Sequence, residues 1–257
     1  MATRKTDIPT LEPDPLEPRP EEVERFVQAL QGLRKSEHEL ARRAAWSQIR
    51  LAGMRARSRP DEALATLNLI FRLGRPPATP LSGPYDGILV APSLWGLADR
   101  ALVALSSAWM PWLGKRFDAE AERGDNLLMR SARPMARVLW PGYRPEEGPD
   151  GSLAAFRFRS YTSPGKVDPD RETLKIDYDS GENPGFLIRD ILDELVEVVP
   201  GAYLGKVLLR RGSADAPRWQ LIGYFALQPP ETAREPAEAE AGEVEGAAAP
   251  APAPATG

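Results

Sequence analysis

Hydrophobic positions in the first third of the chain repeat at the spacing of amphipathic helices. In EEVERFVQALQGL the apolar side chains lie three or four positions apart, at Val23, Phe26, Val27, Leu30 and Leu33. The next segment, SEHELARRAAWSQIRLAGMRARS, continues this period. A third, RPDEALATLNLIFRLGRPP, has Pro60 where a helix begins and Gly74 where it ends. The pattern predicts a helical segment over residues 21–77.

After residue 77 the pattern changes to short apolar stretches bounded by glycine and proline, which is typical of β-strands. Strands are predicted for GPYDGILVAP (83–92), PWLGKRFDAE (111–120), MARVLW (135–140), AAFRFRSY (154–161), TLKIDYD (173–179), YLGKVLLRR (203–211) and RWQLIGYFALQ (218–228). Two stretches favour inserted helices, residues 93–110 and 182–201. The strands follow one another as in a meander, so we expect an α+β fold with N-terminal helices packed on a small antiparallel β-barrel over residues 78–229.

Both ends of the chain lack hydrophobic periodicity. Residues 1–20 are rich in proline, and the last segment consists mostly of alanine, proline, glutamate and glycine without an aromatic residue. Such segments cannot bury enough apolar surface to offset the loss of chain entropy. The sequence therefore predicts a disordered arm over 1–20 and a disordered acidic tail over 230–257.

The composition of the chain excludes several kinds of catalytic and metal-binding site. The chain has no cysteine and a single histidine, His38, which excludes thiol catalysis and sites with several histidine ligands. No phosphate-binding loop or dinucleotide fingerprint occurs, so we expect no cofactor. The acidic turn KIDYDSGENP lacks the spacing of an EF-hand loop, so we expect no metal. The net charge of −4 gives no general attraction to nucleic acid. The chain contains no apolar run long enough for a membrane span and begins without an apolar leader, so we expect a cytoplasmic protein.

The stretch WLGKRFDAE resembles the W-x-GKRF signature that closes the GXWXG-type domain of bacteria and fungi. The segment GPYDG (83–87) resembles its opening motif, with Tyr85 where the family has tryptophan. Residues 177–206 are similar in order to segments of the companion domain of unknown function. The resemblance covers roughly residues 83–228. It implies a calycin, or lipocalin-like, barrel, and it implies no particular reaction.

The strand AAFRFRSY carries two chemically different faces, with Phe156 and Phe158 on one and Arg157, Arg159 and Tyr161 on the other. In one alternative the phenylalanine face is buried and the arginine face is exposed. In the other, the two guanidinium groups and the phenol point into the barrel and hold a carboxylate or phosphate head group. The Arg-x-Tyr spacing is similar to the carboxylate clasp of intracellular fatty-acid-binding proteins.

PWLGKRFDAE supplies the other candidate ligand contacts. Trp112 and Phe117 would form part of a cavity wall, and Arg116 would place a cation at the cavity mouth. The alternative is an amphipathic strand in which the aromatic side chains pack and the cations Lys115 and Arg116 reach solvent or a carboxylate.

Three functions remain open from the sequence. The first is a binding protein for a small lipophilic ligand, neutral or anionic. The second is a cofactor-independent isomerase or cyclase on the same barrel, with Tyr85, Tyr178 and Asp177 as acid–base candidates and no assigned catalytic residue. The third is an interaction module that recruits a protein partner through the arginine-rich helix (residues 42–59) or the acidic tail.

Overall fold

A computed structural model describes residues 19–92, 111–148, 151–213 and 216–230. Four α-helices lie in these ranges: α1 Pro20–Gln31, α2 His38–Arg55, α3 Pro60–Leu73 and α4 Arg133–Leu139. Helices α1 and α3 each begin at a proline followed by two acidic residues, which favour the positive end of the helix dipole. The two ends predicted to be disordered, 1–20 and 230–257, lie mostly outside the described residues. The helix predicted for 93–110 lies wholly outside them.

Eight strands close an antiparallel barrel, as the sequence predicts. They are β1 Gly83–Pro92, β2 Trp112–Asp118, β3 Arg123–Leu128, β5 Leu153–Pro164, β6 Glu172–Asp177, β7 Ile191–Val199, β8 Ala202–Ser213 and β9 Ala216–Gln228, with a two-residue strand β4 Glu146–Glu147 beside β5. Neighbours along the chain pair in order, β9 pairs with β1, and β3 pairs with β5. Closure leaves these eight strands without a free edge.

Three elements differ from the sequence-based expectation. The stretch 135–140, predicted as a strand, lies mostly in α4, where Pro134 occupies the first turn. The stretch predicted as a second inserted helix forms β7 instead, preceded by a short 3-10 helix, Ile188–Asp190. Every residue of β7 except Glu197 is buried, so the strand lacks the alternation that marks a half-exposed strand. Strand β3, RGDNLL, was not predicted because Gly, Asp and Asn disfavour strands.

Two hydrophobic cores share the same strands. The inner core fills the barrel and contains Ile191 and Leu195 of β7. The outer core lies between helices α1 to α3 and the outer faces of β1 and β7 to β9, and it contains Val196 and Val198 of the same strand. Successive side chains of a strand point to opposite faces, so β7 packs on both sides. The helical layer therefore covers an apolar outer face of the barrel.

A row of polar side chains crosses the outer face beneath this layer. Lys175, Glu194, Lys206 and Tyr224 lie directly opposite one another on β6, β7, β8 and β9. All four are buried. Lys175 donates a hydrogen bond to Glu194, and Lys206 donates one to Asp168 of the β5–β6 loop. The charges of the row are thus compensated in pairs, as buried charges generally are.

Helix α3 is fixed to this row. Arg72 donates to Asp168 Oδ1 at 2.7 Å and to Asp170 Oδ2 at 2.7 Å. Asn68 Oδ1 accepts a bond of 2.6 Å from Lys206, whose Nζ also lies 4.4 Å from the ring of Phe71. Polar contacts therefore add orientation to the apolar packing of α3 on the barrel.

Candidate functional site

The β1–β2–β3 side of the barrel turns one lysine inward. Lys115 of β2 lies opposite Asn126 of β3, and its side chain is 2% exposed. Strands β1 and β2 approach closely here because position 114 is glycine. A Cβ at Gly114 would lie 1.9 Å from the carbonyl oxygen of Tyr85, and its φ of +147° is one that other residues rarely adopt.

The opposite wall supplies an acid and a phenol. Asp193 points inward from β7, and Tyr178 follows β6. Lys115 Nζ lies 2.9 Å from Asp193 Oδ2 and donates a 2.9 Å bond to Asn126 Oδ1. Lys115 also donates to the hydroxyl of Tyr178, which in turn donates to Asp193 Oδ2 at 2.9 Å. These four side chains, which we call the inner network, form one connected group across the barrel.

Neighbouring groups fix the orientation of Asn126. Its Nδ2 donates to the carbonyl oxygen of Phe156 at 3.3 Å and to the hydroxyl of Tyr178 at 3.1 Å. The indole nitrogen of Trp112 donates to Asn126 Oδ1 at 3.1 Å. The amide oxygen is therefore held as the acceptor that faces Lys115.

A small, mostly apolar cavity adjoins the inner network at the end of the barrel where β1 ends and β2 begins. Its apolar lining includes Trp112, Phe156, Ile188, Ile191, Val207 and Phe225. About 30 Å³ is open to the centres of water molecules, which is room for about two waters. Asp193 Oδ1 is buried and has no hydrogen-bond partner among the described residues. The site thus combines an apolar wall with one unsatisfied acceptor.

Burial dominates the electrostatics of the inner network. Loss of hydration lowers the pKa of Lys115, although the neighbouring carboxylate of Asp193 acts in the opposite direction. Desolvation likewise raises the pKa of Asp193 against the attraction of Lys115. It raises the pKa of Tyr178 well above its ordinary value. Titratable groups whose pKa values are perturbed in this way beside a cavity mark a candidate functional site.

The structure separates the residues predicted in the GKRF stretch. Trp112 lines the cavity, and Phe117 lies in the inner core with its ring edge-to-face on Phe158. Arg116 lies on the outside of the barrel and pairs with Asp125 at 2.9 Å, so it is not a cation at this cavity. Alternation along the strand explains the correction, because a residue between two inward side chains points outward.

Strand β5 buries its phenylalanine face and exposes its arginine face. The side chain of Arg157 is 50% exposed and contacts Glu146 and Glu182. That of Arg159 is 61% exposed and lies 3.3 Å from Asp177. The inward-pointing alternative is therefore wrong: burial of each phenylalanine stabilises the fold by about 2 kcal/mol, whereas guanidinium groups in the barrel would each need a buried partner.

Tyr161 also lies outside, where its hydroxyl donates to Asp177 Oδ2 at 3.3 Å. Together with Phe117 and Leu81 it lines a separate groove at the end of the barrel where β1 begins and β2 ends, with a volume of about 200 Å³. Contact of Arg157, Arg159 and Tyr161 with the head group of a ligand stays a prediction, and none of the three lines the cavity beside the inner network.

Sequence reasoning missed three members of the inner network: Lys115, Asn126 and Asp193. A period of two counted back from Phe117 leads to Lys115, so a signal for that residue was present. Asp193 lies in the stretch 182–201, for which the sequence predicts an inserted helix, and Asn126 lies in β3, for which it predicts no strand. Of the acid–base candidates, Tyr178 is in the network, whereas Asp177 lies on the outer face.

Site and fold together define a closed eight-stranded antiparallel barrel that encloses a buried charged cluster. No protein-family model and no curated protein matches the chain, so the resemblance to the GXWXG-type domain stays a prediction. Among solved structures, a protein from Thermomonospora curvata is similar at 17% identity, over 70% of this chain and 99% of that chain, with a TM-score of 0.36.

Among the described helices, none has the length and apolar character to cross a membrane. Nor do the described residues contain a cluster of acidic or histidine side chains that could hold a metal ion.

Proposed function

We propose that the barrel binds a small, mostly apolar molecule in the cavity beside the inner network. The observation that carries this proposal is Asp193 Oδ1, a buried acceptor without a partner among the described residues, at the edge of an apolar cavity. An unsatisfied buried oxygen costs about 1–3 kcal/mol, and a ligand that donates a hydrogen bond would remove that cost. Binding pockets characteristically combine apolar walls with a few placed polar groups.

The charges of the site favour a neutral ligand with a hydrogen-bond donor. The ammonium of Lys115 is already matched by Asp193 and by two neutral acceptors. A carboxylate ligand would add a second negative charge beside Asp193, where the interior screens charge poorly. A hydroxyl or amide N–H can instead donate to Asp193 Oδ1. The limited space indicates a short-chain molecule.

Calorimetric titration tests this proposal with a straight-chain alcohol and the carboxylate of the same length. We expect saturable binding of the alcohol and much weaker binding of the carboxylate. Replacing the ion pair by an apolar pair, Lys115→Met with Asp193→Leu, should abolish the preference for a donor without leaving an unpaired charge. Arg159→Ala on the outer face is the matched control and should bind like the unmodified protein. The titration is repeated with short straight-chain alcohols of increasing length, and the proposal would be refuted if none of them binds.

Native mass spectrometry of the protein from its own source addresses the natural ligand. We expect a defined adduct that solvent extraction releases as a neutral apolar compound. An extracted acid would refute the preference for a neutral donor and would support an anionic ligand.

A second candidate function is acid–base catalysis without a cofactor. It is favoured by a carboxyl group whose pKa is raised by burial, Asp193, hydrogen-bonded to Tyr178 beside a cavity. Deuterium exchange at the carbon next to the carbonyl of a small ketone, in heavy water, tests it. Exchange that Asp193→Asn abolishes would support proton transfer by this group, and exchange no faster than in buffer would oppose it.

A further inference from the structure

One buried lysine faces a cavity, and two others provide an internal comparison. Among the lysines in the described part of the chain, Lys115, Lys175 and Lys206 are buried, whereas Lys35 and Lys166 are exposed. Lys115 lines the cavity of the inner network. Lys175 and Lys206 lie on the outer face of the barrel, each bonded to a carboxylate beneath α3 and the β5–β6 loop. The three lysines thus share burial and an acidic partner, but differ in access to this cavity.

Lys115 has two proton-exchanging groups within hydrogen-bond reach. Asp193 Oδ2 lies 2.9 Å from its Nζ, and the hydroxyl of Tyr178 accepts a bond from it. The same two groups are bonded to each other at 2.9 Å. A proton can therefore pass between amine, carboxyl and a molecule in the cavity without entering bulk solvent.

The surroundings of Lys115 favour the free amine relative to a lysine in water. Ring centroids of Trp112, Phe158, Tyr178 and Phe225 lie 5.0–5.5 Å from Nζ. Contacts of this kind stabilise an ammonium by about 2 kcal/mol when desolvated, but the lost hydration of a buried ion amounts to several kcal/mol. Desolvation accordingly lowers the pKa of Lys115. Burial raises that of Asp193. Both shifts make the neutral pair of amine and carboxylic acid more accessible than it is in water, alongside the ion pair that the contacts show.

We propose that Lys115 captures small aldehydes or ketones in this cavity as a reversible imine. This inference rests on the proposed function, because the carbonyl compound must first occupy the same cavity. A carbonyl group has no proton to donate, so its oxygen would accept a hydrogen bond from protonated Asp193, whereas an alcohol donates to the Asp193 carboxylate. A lysine in an apolar pocket, with an acid at hand, is a recognised arrangement for imine formation.

The chemistry balances within the site. The nitrogen lone pair of Lys115 attacks the carbonyl carbon, and the carbonyl oxygen takes a proton from Asp193. The carboxylate then accepts the proton released by nitrogen. Protonation of the carbinolamine hydroxyl by the same acid expels water, and loss of the last N–H proton returns Asp193 to its protonated form. The net change is one carbonyl compound and one amine converted to one imine and one water, with no oxidant or reductant.

Reductive trapping tests the proposal on the full-length protein. Propanal is the probe, sodium cyanoborohydride reduces any imine to a stable propyl amine, and peptide mapping by mass spectrometry locates the propyl group. Burial lowers the pKa of Lys115, and the cavity would hold the aldehyde beside its amine, so we expect Lys115 to carry more label than Lys35 or Lys166. Lys175 and Lys206 should remain unlabelled, because they lie away from the cavity.

The variant Lys115→Arg and the alcohol 1-propanol, which cannot form an imine, serve as controls. Lys115→Arg keeps the cation but removes the reactive amine, and it should lose the internal label. If this variant does not fold, the peptide map of the unmodified protein still decides the site. Label spread over the exposed lysines would overturn the proposal. Binding of 1-propanol without label on Lys115 would overturn imine formation but leave the proposed function intact, whereas absence of both would refute the two together.

Discussion

The buried pair of Lys175 and Glu194 allows a sharp test of how the outer polar row stabilises the fold. The two side chains are 1% and 0% exposed. Lys175→Met leaves the Glu194 carboxylate without its cation, and Glu194→Gln leaves the ammonium unpaired. Breaking a buried pair from one side typically costs about 3–5 kcal/mol. The double variant Lys175→Met/Glu194→Leu removes both charges and fills the space with apolar atoms.

The double variant should be far more stable than the two losses added together. Its main deficit is the bond from the Lys166 backbone N–H to Glu194 Oε1, worth about 1–3 kcal/mol. We therefore expect it within about 2 kcal/mol of the unmodified protein, against a sum of about 6–10 kcal/mol for the two single losses. Urea unfolding, followed by circular dichroism and by fluorescence to check two-state behaviour, measures all three variants. Single losses below about 1 kcal/mol would show that the pair is hydrated. Strictly additive losses would show that the two side chains are not coupled. Either result would refute this reasoning.

Three further predictions concern other positions. Gly114→Ala should lower the free energy of unfolding by at least about 2 kcal/mol, because the new Cβ would meet the Tyr85 carbonyl oxygen. Gly142→Ala is the control: a Cβ there would have no atom within 4 Å, so thermal unfolding should show a change of less than about 0.5 kcal/mol. Burial raises the pKa of Asp168, but bonds from two cations outweigh it and place the pKa below 3.8, so the unfolded chain binds more protons in acid. The free energy of unfolding should therefore fall as the pH drops through and below 3.8. Urea unfolding at a series of pH values around and below 3.8 should show a shallower fall for Asp168→Asn than for the unmodified protein. Arg159→Ala, at a side chain 61% exposed, should alter the urea midpoint by the equivalent of less than about 1 kcal/mol.

Local patterns were sufficient to predict most of the fold. Helices α1 and α3 follow from their apolar period and their proline starts, and β5, β8 and β9 from bounded apolar runs. The failures have causes that differ from one element to the next. Strand β7 carries charged residues between apolar ones, a pattern that also fits a solvated helix, and only the partners on other strands make it a buried strand.

The inner network was harder to predict because it depends on long-range contacts. Trp112 was a candidate, but Lys115 and Asp193 are 78 positions apart in the sequence, as their numbers show. Neither residue stands out within its own segment. Barrel closure brings them together, and the desolvation that perturbs them exists only after folding. Strand β5 alternates aromatic and cationic residues, and this pattern can be read from the local sequence alone. It therefore led to the hypothesis that Arg157 and Arg159 hold a ligand head group.

The two-sided packing of β7 bears on which parts of the gene tolerate change. On β5, outward positions such as Arg157 and Arg159 can vary while their inward neighbours cannot, so tolerance to substitution should alternate along the strand. On β7 neither face meets solvent, since one packs in the barrel and the other against the helical layer. Variation should therefore be suppressed along its whole length, and divergence among descendants of this sequence should accumulate around β7 rather than within it.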